Sequence, residues 1–258
     1  MNSKMIFGGF ALFFFAAAVY FLIQSMRRKV AVIEILTAEK MQRVISEDAD
    51  NYYDKFHATD FKVRNVKNKL AYLSKISKSG CSPDEEIVEK INNCIGKVHD
   101  ILLPKINETI NGININMFLA IPWRIGFTCD KNYENGLPHT RGDVIILNIK
   151  DIRRRSIPEV CKLLIHEKCH VYQKKEDLTL YLKDNYTEVK QKDYTDISIP
   201  ANPDTNDTIY KCNKTDTVLE GKYSENPSHF RDVSFPQNDH TLEHPFESMA
   251  YKMEELVD

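Results

Sequence analysis

A helix signature and a metal-ligand signature coincide in residues 153–174, RRRSIPEVCKLLIHEKCHVYQK, and nothing else in the chain restricts the fold as strongly. Ser156 reads as an N-cap, Glu159 three residues on completes a capping box, and Pro158 is tolerated in the first turn. Val160, Leu163, Leu164 and Val171 recur at helical spacing and give the helix a face to bury. Beside that stripe, His166-Glu167-Lys168-Cys169-His170 spells H-E-x-x-H. Histidines four apart leave one helical face, so both imidazoles can reach a single metal ion. Glu167 is then placed to take a proton from a metal-bound water.

Two histidines do not complete a catalytic zinc site. A third protein ligand is needed, with one position open to water. The residues after His170 are Val171, Tyr172 and Gln173, which excludes the extended metzincin pattern of glycine and a third histidine. Glu247 is the expected third ligand, in the first turn of a terminal helix that Pro245 opens. His240, Glu243 and His244 crowd the same stretch and compete for the role. The zinc reading requires the side chains of His166, His170 and Glu247 to converge. Donors for a developing oxyanion are sought among His139, Arg141, Tyr172 and Tyr251, with His139 and Tyr251 the foremost candidates.

The blocks GLPHTRGDVIILN, LLIHEKCHVYQ and HPFESMAY, in that order, resemble a family of zinc metallopeptidases found in large DNA viruses, and more broadly the gluzincin branch of the zincins. The likeness runs from Ile121 to the C-terminus, about half the chain, and its H-E-x-x-H-x-x-Q core is the specific part. It implies Zn2+ bound by His166, His170 and Glu247, Glu167 as general base, and a peptide or protein substrate. Tyr251 stands where gluzincin helices often carry an acidic residue, which leaves the outer partner of a histidine ligand open. By zincin analogy, Asp143 to Ile149 is expected to be the edge strand above the cleft, where an extended peptide could add.

The rest of the chain suggests an α+β fold. A helix is expected from Ser82 as N-cap through Ile87, Ile91, Ile95 and Val98 to Leu102, stopped by Pro104. Val30 to Ser46 reads as a further helix. Met117 to Cys129 and Asp143 to Ile149 read as strands, separated by an Asn135-Gly136-Leu137-Pro138 turn. Residues 177–239 are mostly loop, with a short strand near Ile209 and Tyr210.

Lys4 and Arg27 bracket twenty-two uncharged residues, of which Met5 to Ile23 are the most apolar. That length approaches the roughly 30 Å a membrane helix must span. One lysine precedes the segment and Arg27, Arg28 and Lys29 follow it, so the expected location is a single-pass membrane protein with a cytosolic C-terminal domain. Three parts follow: an anchor over 1–26, a helical juxtamembrane region over 27–113, and a zincin-like metallopeptidase domain over 114–258. A formal net charge of −2 gives no footprint for nucleic acid. The six cysteines lack any C-x-x-C pair and leave the redox compartment undecided. The competing function is a membrane-tethered structural or assembly protein that keeps the fold without catalysis.

Overall fold

Val144-Ile145-Ile146-Leu147 has no polar alternation, and such a strand is stable only when both its faces are covered. It lies at the centre of the architecture in the computed structural model, which describes residues 32–189, 199–206 and 208–257. Ile33–Asp258 form one compact unit. Its first part runs β1 (Ile33–Ile35), α1 (Ala38–Glu47), α2 (Ala58–Val63), α3 (Lys69–Lys75), β2 (Gly80–Cys81) and α4 (Glu85–Leu102). A short hairpin of β3 (Thr109–Ile110) and β4 (Ile113–Asn114) leads into α5 (Ile115–Ala120), β5 (Trp123–Thr128), β6 (His139–Arg141) and β7 (Val144–Asn148). Then come α6 (Ile149–Arg154), the long α7 (Ile157–Lys175), α8 (Thr179–Asn185) and β8 (Tyr186–Val189). The chain closes with β9 (Ile209–Cys212), β10 (Val218–Leu219), β11 (Lys222–Tyr223), β12 (Val233–Ser234) and α9 (Pro245–Glu254).

The central sheet is mixed, in the order β1-β5-β7-β6, with β2 on the far end of β5. β1 and β7 flank β5 in parallel, with Ile33 opposite Trp123 and Arg124 opposite Val144. β6 runs antiparallel to β7, His139 facing Ile146, and among the described residues it forms an edge of the sheet. All five residues of β7 are buried. The α+β class expected from the sequence is therefore the one observed.

Several expected boundaries move for local reasons. Asp84, not Ser82, caps α4, accepting from the Ile87 N–H at 3.1 Å. The Ser82 hydroxyl instead accepts from the Ala38 N–H in the first turn of α1, which Thr37 caps. Residues 30–46 are not one helix, because β1 precedes α1. Met117 to Cys129 is likewise half helix, with α5 ending at Ala120 before β5 starts at Trp123. The expected edge strand, 143–149, corresponds to β7, which is enclosed between β5 and β6.

The region over 27–113 does not stand apart as far as it is described. Tyr52, Tyr53, Phe56 and Tyr72 share one core cluster with Val144 and Ile146 of β7. Within it, Arg64 grips Glu134 with two hydrogen bonds, of 3.1 and 2.6 Å, while Tyr52 and Tyr72 donate to the same carboxylate. A buried guanidinium and carboxylate offset their desolvation only when saturated in this way. Cys81 and Cys129 are joined as a disulfide, Cα to Cα 5.6 Å, tying β2 to the end of β5. Disulfides persist mainly in oxidising compartments.

The membrane-anchored architecture and the single-pass membrane location with a cytosolic domain are corrected. Among the described residues, no helix is long and apolar enough to cross a membrane. The longest, α4 and α7, have Glu, Lys and Asn or Gln distributed along their lengths. The segment for which a span was expected, residues 5–23, lies outside the described residues.

Candidate metal centre

α7 starts where the sequence predicts. The Ser156 side chain accepts from the Glu159 N–H, and the Glu159 carboxylate accepts from the Ser156 N–H at 2.6 Å. The helix packs against α4, α9, β6 and β7, so Leu164 to Gln173 are buried without interruption. Polar groups inside such a helix need partners. Lys168 turns to the sheet, where its ammonium donates to the Ile121 carbonyl and lies 4.1 Å from the Trp123 ring. His166, Glu167 and His170 turn the other way, toward a cleft of about 710 Å³.

α9 crosses beside them. Its N-cap is His244, whose Nδ1 accepts from the Phe246 N–H, and Glu247 follows in the first turn. Glu247 Oε2 lies 3.3 Å from His166 Nε2, and its Oε1 lies 3.6 Å from His170 Nε2. One ligand atom from each of the three residues lies within 4.8 Å of the others. A tetrahedral zinc with donors at about 2.1 Å spaces neighbouring donors about 3.4 Å apart, and the two histidine–carboxylate separations are of that size. The next layer of contacts fixes the ring orientations. His166 Nδ1 donates to Glu254 Oε1 at 2.7 Å and His170 Nδ1 donates to Gln173 Oε1 at 2.8 Å. Both rings thereby direct Nε2 at Glu247. Gln173 also donates to the Phe246 carbonyl at 2.9 Å, which locks α7 to the first turn of α9.

The electrostatics are those of a site crowded with carboxylates. Burial opposes charge on His166, but its hydrogen bonds to Glu247 and Glu254 outweigh that and raise its pKa. His170 is pulled below the usual histidine range by burial, despite the Glu247 charge. Burial and the Asp204 charge push Glu167 well above the usual carboxylate range. Its Oε2 is buried with no hydrogen-bond partner among the described residues. Glu243 is pushed up to about 8 by burial and by Glu247. A divalent cation held by Glu247 would relieve this repulsion.

The remaining candidates separate clearly. Glu243 and His240 line the cleft outside the ligand set, and His244 is turned away with its Nε2 3.1 Å from Asn206 Oδ1. Arg141 is committed to Asp48, Asp50 and Tyr133, and the Tyr172 hydroxyl accepts from the Asn114 N–H. Tyr251 lines the cleft edge-on to His166, ring centroids 4.8 Å apart. His139 also lines it, but its Nδ1–H is spent on the Leu137 carbonyl at 2.9 Å. Burial lowers its pKa, so the neutral ring leaves Nε2 a bare acceptor. That disfavours His139 as an oxyanion donor.

Comparison with protein-family models, curated proteins and solved structures finds no significant match. The roles of three residues in the site are not assigned from the sequence. Gln173 belongs to the extended motif, and its position three residues after His170 was the available signal. Glu254 lies two helical turns beyond Glu247 and supplies the acidic partner that Tyr251 does not. Asp204 comes from a loop, accepts from the Thr140 N–H at 2.9 Å, and gives no local signal at all.

Proposed function

We propose that this chain is a zinc-dependent peptidase with His166, His170 and Glu247 as metal ligands and Glu167 as general base. One observation carries the reading: two histidines and a glutamate from crossing helices converge beside a buried carboxylate oxygen that has no hydrogen-bond partner among the described residues. A purely structural zinc site is closed by four protein ligands and has no use for such a carboxylate. When bound, the metal supplies Lewis acidity to a scissile carbonyl and acidifies a water.

The protein's own groups do the rest. Glu167, its basicity raised by burial, accepts the proton of the attacking water and hands it to the leaving amine. Glu254 and Gln173 hold the imidazoles so that neither ring turns its other nitrogen to the cleft. Tyr251 is the better placed donor for the developing oxyanion, since its side chain lines the same cleft beside His166.

Elemental analysis of purified protein tests the reading, with about one zinc per chain expected. His170→Ala should lose the metal, and chelation should abolish cleavage of a quenched-fluorescent peptide library until zinc is restored. Absence of zinc from the folded protein, even after incubation with the metal, would remove the proposal.

A further inference from the structure

Among the described residues β6 is an edge of the central sheet, and Leu137, Pro138 and His139 line the cleft as the chain enters it. A peptide in such a cleft ordinarily gains affinity by adding to the exposed edge as another strand. Here the edge is three residues long, and Thr140 is its central residue. The Thr140 N–H donates to Asp204 Oδ1 at 2.9 Å, and the Thr140 carbonyl accepts from Lys174 Nζ at 3.0 Å. Asp204 and Lys174 themselves pair at 3.1 Å. Both main-chain groups that an added strand would use are thus taken by the protein's own side chains.

The segment that delivers Asp204 is fastened independently on two sides. The Ala201 N–H donates to Asp60 Oδ1 at 3.1 Å, and the Ala201 carbonyl oxygen lies 3.2 Å from the Tyr52 hydroxyl. The Asn202 amide donates to Glu243 Oε1 at 2.9 Å and its carbonyl oxygen accepts from the Asp204 N–H at 2.8 Å. Asp204 is 7% exposed, so water does not compete freely for it.

We propose that the Asp204–Lys174 pair is a specificity-determining plug. It occupies the strand-addition position on β6, so the site takes short peptides held by side-chain contacts and gains nothing from a long extended chain. This rests on the peptidase reading, because only a peptide substrate makes the edge matter.

The test compares kcat/KM for short and long random-sequence quenched-fluorescent peptides, in wild type and in the Asp204→Ala/Lys174→Met variant. Wild type should show a long-to-short ratio near one. The variant should raise that ratio about tenfold, the effect of regaining two modest main-chain hydrogen bonds. Amide exchange at Thr140 provides a readout independent of turnover: slow in wild type, fast in the variant or in Asp204→Ala alone if the double variant does not fold. A wild-type protein that already favours long peptides tenfold, or a Thr140 amide that exchanges freely, overturns the plug. Loss of the peptidase reading looks different: no zinc, and neither peptide cleaved.

Discussion

Glu254 and His244 show what single side chains contribute around the site. Glu254 fixes the His166 ring through a hydrogen bond of 2.7 Å without touching a metal. Contacts of this kind typically contribute 10–100-fold to metal affinity. Glu254→Ala should therefore weaken zinc binding by about that factor in a competition titration, with the fold intact; unchanged affinity would show the contact to be incidental. His244 gives a pH signature. Burial holds it near 3 in the folded protein, whereas an unfolded histidine titrates near 6.5. Between those values the unfolded chain binds the extra proton. Stability from this group is full above about pH 6.5 and is lost as pH falls toward 3, by an amount on the order of a few kcal/mol. His244→Asn keeps a capping side chain, and denaturant unfolding of the metal-free variant should show a shallower acid slope than wild type. At this scale the sequence is readable where the chemistry is periodic. His166, Glu167 and His170 stand at helical spacing, and Glu247 lies in a helix that Pro245 announces. Asp204 is unreadable, since its role depends on a loop meeting an edge strand sixty-four residues away.

At the scale of elements, α7 and α9 make the site by crossing, and each is set by its own first turn. Ser156 and Glu159 satisfy one another's backbone donors at the start of α7. Ser156→Ala should cost about 1 kcal/mol, seen as a lower unfolding midpoint, with zinc stoichiometry unchanged because the ligands lie more than two turns along. A loss of zinc in that variant would mean that the helix start positions the ligands directly. Local signals made this helix legible. The edge strand was not legible for the opposite reason. Val144 to Asn148 carries the strong apolar pattern, but strand order comes from pairing with β5 and β6, and β6 is too short to stand out.

For the whole molecule, contacts cross the expected division at residue 113. β1 pairs with β5, Arg64 holds Glu134, and α4 packs against α7. These contacts join residues far apart in sequence, so composition along the chain gave no sign of them. A chain beginning at residue 114 should not fold cooperatively, as judged by thermal unfolding and protease resistance; a stable, zinc-binding fragment would restore the two-domain reading. The walls of the cleft depend on the same contacts, because Tyr52 and Arg64 from the first half line it with Glu134 and His139.

In the proposed peptidase, hydrolysis depends on Glu167. The most direct measurement is peptide cleavage by wild type and Glu167→Gln at equal, measured zinc occupancy. Equal zinc content is expected, with a loss of turnover of about 10²–10⁴-fold in the variant, the contribution of a general base. Equal turnover at equal zinc would contradict it.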